Sequence, residues 1–447
     1  MPSSVPDARR TVFLHSPSEA PDARTVALQV PEFEWYGERA LLLARRSDIV
    51  AVAHPVDERY LRYLHSLGIG PRFENVIVVE GVSPGAGLSE VLGAQPGAIE
   101  RLAGRLQGVE SVVLSPFFAT PAIEALANSL GELLGRPVRV AGGPPELVRK
   151  LHDKPFLRGL AQSLQIPVAP GEVVALPRSS ERTPRDLDPL RRAIERRVDT
   201  TGRVIVRGAS GASGSSTFLA GPDEVEVVVE SIAARADNRV YLVEPLFPAT
   251  SSPNVEVVVD TGDAPPRVGV TDQVLNVDLV YLGSVWPTSA SRAKEMVDDA
   301  LAIAAWMRRR GFSGRAGFDF VEHERADGTS AYFLTEINPR VNGASYPLAL
   351  RARLAERAGG GAPAPAAFRS SNVAVAARDF AGLEALCGSL LYDLRRGEGV
   401  IPYAVGALAA GKVGIACFGA DPARVDALFA ELVYAVADPP ARSAAAS

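Results

Sequence analysis

Two cysteines, Cys387 and Cys417, are all that a chain of 447 residues contains. A disulfide framework and the paired-cysteine spacing of a zinc site are thereby excluded, and one bridge at most stays open. The five histidines are scattered without metal-ligand spacing. No apolar run is long and unbroken enough to span a bilayer. Met1–Arg10 carries Pro2 and Pro6 where a secretory signal has its apolar core. A cytoplasmic protein with no membrane partner is therefore expected. A basic field is missing too: 47 Lys and Arg face 52 Asp and Glu, a formal charge of −5, so no nucleic-acid partner is expected. An anionic ligand would have to be held by local positive groups. Two nucleotide signatures are also absent. No G-x-G-x-x-G follows an early strand, and no Gly-Lys-Ser/Thr closes a phosphate loop.

What is present is an ordinary globular composition, 47% hydrophobic and 22% charged, with length for two to four domains. In the first third, strand patterns at Val26–Val30, Asp48–Ala53, Asn75–Val79 and Ser111–Leu114 alternate with helix patterns at Glu38–Arg46, Glu58–Leu67, Ile99–Leu106 and Ala122–Leu134. Such alternation predicts a parallel α/β layer. The pattern changes after Pro145. Asp153 reads as an N-cap and Pro155 as an opening residue for a helix reaching Leu164. Strands follow at Arg203–Arg207, Ser216–Leu219 and Val240–Glu244, with a helix over Asp223–Ala236. Beyond 250 the chain turns β-rich, and Tyr281–Pro287 reads as part of a loop system. Ala355–Ala367 is a Gly/Pro/Ala linker, and helix patterns recur near Ala381–Leu391 and at Pro422–Val436. The α/β chain thus divides into units over 1–145, 146–243, 244–360 and 361–447.

The chemistry concentrates at Ala331–Gly343, AYFLTEINPRVNG. Alternate residues of a strand share a face, so Glu336 and Asn338 point one way and Ile337 the other. Hard oxygen ligands of this kind suit Mg²⁺, held by a few carboxylate or carbonyl groups together with substrate phosphates. Arg340 follows with a fixed charge for a phosphate or carboxylate. Asp319, in Gly317–Val321, lies opposite two phenylalanines on what reads as the partner strand of a hairpin turned by Asp327-Gly328. Burying three oxygen ligands on adjacent strands would be costly without a cation. Gly208–Ser215 is a glycine- and serine-rich loop whose Gly208, Gly211 and Gly214 let backbone N–H groups approach a ligand. Ser210, Ser213, Ser215 and Ser216 add hydroxyls, and such a nest favours phosphate oxygens. Lys154 stands at a helix start. Glu244, Pro245 and Leu246 form a hinge whose backbone can meet a purine edge, and Asn254 or Glu256 is the candidate for a ribose contact.

In order, Lys154, Val204–Arg207 entering the Gly/Ser loop, the Val243–Glu244 hinge, Asp319 and Glu336–Arg340 resemble the ATP-grasp superfamily of carboxylate–amine ligases. The resemblance implies an ATP-grasp fold, in which two α+β lobes clamp ATP, with a pre-ATP-grasp α/β domain before them and a small α+β domain after. It implies ATP with two Mg²⁺ ions, Mn²⁺ being an alternative, the metals falling to Asp319, Glu336 and Asn338. ATP would fall to Lys154, Arg207, Gly211, Ser213, Gly214, Ser215, Glu244, Leu246 and Glu256, and catalysis to Arg340, Arg207 and Ser213. Arg207 stands where the family usually has Lys. It keeps the charge and adds a bidentate fork. The implied reaction joins a small-molecule carboxylate to an amino acid or peptide amine through an acyl phosphate, with homodimers common. The overall layout resembles peptide ligases of natural-product (antibiotic) biosynthesis, of the pheganomycin type. A non-amino nucleophile, or a non-catalytic nucleotide-binding module, is an open alternative at this stage.

Overall fold

The computed structural model describes residues 9–20, 23, 33–83, 85–177, 183–210, 216–235, 238–260, 264–358 and 363–437. The first sheet has five parallel strands in the order Val76–Val78, Ile49–Val52, Arg9–Leu14, Ser111–Pro116, Arg139–Val140. The helices Glu58–Ser66 and Pro121–Leu134 begin on side-chain caps, Asp57 and Thr120. The central strand, Arg9–Leu14, was hidden in the sequence. Its first residues are arginines, and only Val12, Phe13 and Leu14 are buried. The expected first strand at Val26–Val30 lies outside the described residues. The segment expected as a helix from Glu38 is a 3-10 helix, Phe33–Leu42. In it Gly37 presses on the His15 carbonyl, and an added Cβ would lie 2.4 Å from that oxygen.

A second, four-stranded antiparallel sheet orders Glu172–Ala175, Val240–Pro245, Val204–Gly208 and Thr217–Ala220. The apolar faces of Pro184–Thr201 and Val225–Arg235 cover it.

The third sheet is antiparallel and has nine strands. Gly314–Glu324, Pro253–Val259, Arg267–Leu275 and Tyr281–Trp286 lie side by side. Ser330–Asn338 pairs with Gly314–Glu324 as the predicted hairpin. Tyr281–Trp286 is thus a strand and not a loop. Its central Gly283-Ser284 weakens the local pattern, and cross-strand pairing supplies what the pattern does not. The strands Ala367–Ala374, Lys412–Gly419 and Gly399–Tyr403 continue this sheet. Phe318, Phe320 and Ile337 are fully buried against Met296 and Ile303 of the helix Ala293–Arg308. Each contributes about 1.5–3 kcal/mol by burial. A one-residue slip would drive Asp319 into that core, so the apolar set fixes the register that aims the polar set outward. Among the described residues no helix is long and apolar enough to cross a membrane.

Candidate active site

Register brings the metal candidates together. Asp319 lies directly opposite Glu336, and Asn338 opposite Gly317. Asn338 donates its amide N–H to Asp319 Oδ2 at 3.0 Å, and Asn254, one strand over, donates to Oδ1 at 2.5 Å. Asn342 in turn donates to Asn254 Oδ1 at 3.3 Å. Gly317 makes room for this amide ladder: an added Cβ would lie 1.9 Å from Asn342 Nδ2. Across the cluster, Lys154 Nζ is 3.4 Å from Glu336 Oε2.

The two facing carboxylates are pushed apart in acidity. Burial raises Asp319 to about 7, and the charge of Glu336 adds to it, against the pull of the Asn254 hydrogen bond. Burial raises Glu336 as well, but Lys154 and its cationic neighbours outweigh it and hold this carboxyl below its ordinary range. Glu336 is thereby the more acidic of the pair, and Asp319 titrates near neutral pH. Two carboxylates and an amide are hard oxygen donors, so the donor set fits Mg²⁺. No group of three His, Cys, Asp or Glu placed for a metal occurs among the described residues. The set is therefore too small to cage an ion by itself and suits one that also binds phosphate.

At the other side of the cleft, Arg207 is anchored. Its Nε and Nη2 donate to Glu244 Oε2 at 3.0 and 2.5 Å, and its Nη1 donates to the Thr335 carbonyl at 2.9 Å. One N–H on each terminal nitrogen is left for a ligand. Arg158 meets the second Glu244 oxygen at 3.3 Å. Glu244 is thus a buried anchor that orients Arg207. Its neighbour Leu246 lines the cleft, but its backbone N–H is spent on the Arg203 carbonyl at 3.0 Å. The backbone N–H of Phe247, one residue on, has no partner among the described residues. Glu256 does not line the cleft. Arg315 holds it at 2.5 Å.

Of the Gly/Ser loop, Gly211, Ser213, Gly214 and Ser215 lie outside the described residues. Its two ends are tied together by Asn238, whose Oδ1 accepts from the Ser210 backbone at 3.0 Å and whose Nδ2 donates to Ser216 Oγ at 3.1 Å. Gly208 admits Asn238, since a Cβ there would lie 2.6 Å from its Nδ2. The backbone N–H of Lys154 donates to the Ala209 carbonyl at 3.0 Å, so the helix start capped by Asp153 sits at the loop's root.

Arg207, Glu244, Asp319, Glu336, Asn338 and Arg340 line one cavity of about 260 Å³. Ile205, Leu246, Phe247 and Phe333 form an apolar end. Asp319, Glu336, Asn338 and Arg340 form a charged one. Arg340 lies over the Phe117 ring, 5.0 Å from its centroid, and donates to the Val341 carbonyl at 2.9 Å. Sequence reasoning passed over Arg158, Asn238, Asn342 and Phe247. Only Asn342, in the same segment as Glu336 and Arg340, carried a local signal.

Residues 37–132 match the family model described as Pre ATP-grasp domain. N5-carboxyaminoimidazole ribonucleotide synthetase from Thermus thermophilus is 14% identical, with 96% of this chain and 99% of that chain covered at a TM-score of 0.55. Carboxyaminoimidazole ribonucleotide synthase from Aspergillus clavatus, complexed with ATP, is 16% identical, covering 96% and 98% at 0.53. Biotin carboxylase from Campylobacter jejuni is 13% identical, covering 94% and 89% at 0.55. The fold is ATP-grasp. At these identities the likeness concerns the ATP-grasp fold alone. No curated protein matches the sequence significantly.

Proposed function

We propose that the chain is an ATP-dependent carboxylate–amine ligase that forms an amide through an acyl phosphate, releasing ADP and phosphate. The observation that carries this reading is the convergence of Asp319, Glu336 and Asn338 with Arg207 and Arg340 in one cleft that ends in an apolar hinge. The ATP reported in the Aspergillus clavatus structure supports nucleotide use on this fold.

The purine would lie between Phe247, Phe333 and Ile205, with its edge on the Phe247 N–H. Arg207 and Lys154 would steady the phosphates, with the Gly/Ser loop, Ser213 included, above them. Asp319, Glu336 and Asn338 would hold Mg²⁺, which when bound offsets charge on the phosphate oxygens. The substrate carboxylate attacks the γ-phosphorus, an O–P bond forms, and the bond to the β-phosphate oxygen breaks. ADP leaves, and the acid now carries a good leaving group. The amine attacks the acyl carbon, loses a proton, and expels phosphate. Arg340 holds the acyl phosphate and the oxyanion that follows. Excluding water matters because water competes with the amine.

We assign the amine to an amino acid or peptide, because the layout of the sequence resembles that of peptide ligases. The test is ADP release from ATP and Mg²⁺ with pooled acids and amines, followed by mass spectrometry of the products. Release that needs both pools, with a product lighter than its parts by one water, is expected. If no pair of pools stimulates release, the ligase reading fails.

A further inference from the structure

A second cavity, of about 410 Å³, lies between the first sheet and the third. It shares Arg340 with the cleft, and no other lining residue. Its first-sheet wall comes mainly from alternate residues, Arg9, Thr11 and Phe13 on one strand and Val113 and Ser115 on the next, with Pro116 and Arg139 beside them. It is therefore roofed by one face of that sheet.

Seven arginines and three acids, Asp48, Asp260 and Glu356, line it, with no lysine or histidine. The lining residues thus carry an excess of four positive charges, three once Arg315 is counted with its partner Glu256, in a chain whose overall charge is negative. The three acids offset only part of it: Asp48 feels the charges of Arg45 and Arg353, and Glu356 that of Arg353. Asp48 accepts the backbone N–H groups of Thr11 and Arg45 at 2.9 and 2.7 Å. Asp260 faces Arg9 at 3.4 Å on an exposed rim. Arg353 donates only to the carbonyls of Ala44 and Leu43. Arg45 and Arg267 have no ion pair among the described residues. A concave wall of one sign focuses its field and concentrates an ion of the opposite sign. Guanidinium forks match the planar or tetrahedral oxygens of carboxylates and phosphates.

We infer that this chamber takes an anionic group, a carboxylate or a phosphate, carried by the same substrate whose acid is activated at Arg340. The substrate acid is then at least dianionic. The assignment rests on the ligase reading for its substrate, and on the chamber itself for its charge. A substrate with its reacting carboxyl at Arg340 has its remainder facing the arginines. The inference selects acids with a second charged group over simple monocarboxylates.

Calorimetric titration of the full chain at low ionic strength, without metal, tests this with tricarballylate and with inorganic phosphate as probes. The variant is Arg45→Glu with Arg267→Glu, two exposed side chains whose reversal leaves five arginines against five acids. At least one probe should bind the wild type and lose affinity more than tenfold in the variant, while melting temperature and Mg·ATP affinity stay unchanged. The probe preferred tells carboxylate from phosphate. Binding of neither probe, or equal binding by both proteins, would overturn the inference. Mg·ATP titrated into the same samples separates the two claims. Absence of nucleotide binding sinks the ligase reading and the substrate assignment with it, whatever the probes do.

Discussion

The two cavities that meet at Arg340 are opposites. The cleft sets three carboxylates, Glu244, Asp319 and Glu336, against two arginines. The chamber sets seven arginines against three acids. In the cleft nearly every charge has a partner at hydrogen-bond distance, as with Glu244 between Arg207 and Arg158 and Glu336 beside Lys154. In the chamber Arg45, Arg267 and Arg353 have no acid within ion-pair distance among the described residues. A balanced cluster of this kind holds geometry, and its facing carboxylates, Asp319 and Glu336, are hard oxygen donors that suit a cation. An unbalanced wall holds a counter-ion. The difference separates the place where chemistry is arranged from the place where a substrate is recognised.

The comparison breaks most visibly through Glu336. Glu336→Ala should lower acid- and amine-dependent ADP release by on the order of a thousandfold, as loss of a preorganised charge at a reacting phosphate does. Tricarballylate affinity should not move. Arg340→Ala is the substitution that should touch both sides. Turnover should fall by about a hundredfold, and tricarballylate binding should weaken several-fold. Arg340→Lys should restore the charge but not the fork, and so only part of either effect. Glu244→Gln acts on the cleft alone. It leaves Arg207 and Arg158 with a weaker anchor, so urea melts should show a loss of about 1–3 kcal/mol, and the KM for ATP should rise while probe binding holds. Outside both cavities, Glu38→Gln should alter neither. Burial raises Glu38 to about 7, although the Gly406 N–H donates to it at 2.9 Å. The folded chain then keeps a proton that the unfolded chain releases near about pH 4.3. The native state binds more protons across that window, so stability falls as pH rises through it. Between about pH 5 and pH 8 the wild type should lose up to about 3 kcal/mol relative to Glu38→Gln in urea melts.

The strand alternation of Glu336, Ile337 and Asn338 was legible because a two-residue period needs only local sequence. Asp319 between Phe318 and Phe320 was legible for the same reason, and the Asp327-Gly328 turn joined the two strands in advance. Arg9–Leu14 was not, since a central parallel strand is recognised by its neighbours, and these come from residues about 40 and 100 positions away. Glu256 as a ribose contact had no local argument against it. Its partner Arg315 lies 59 residues on and meets it only after strands pair. The Leu246 N–H is taken up through a similar remote bond, to the Arg203 carbonyl, while its side chain lines the cleft. The chamber was the least legible feature of all. Its arginines run from Arg9 to Arg353 with no spacing to connect them.

The central claim is that Asp319, Glu336 and Asn338 form the metal-facing floor of an ATP site. Calorimetric titration of ATP into the wild type and Glu336→Ala, each with Mg²⁺ and with EDTA, tests it most directly. The account predicts saturable binding by the wild type that weakens more than tenfold in EDTA, and a variant whose weaker binding no longer responds to the metal. ATP binding that is the same in all four titrations, or absent from the wild type with Mg²⁺, would contradict it.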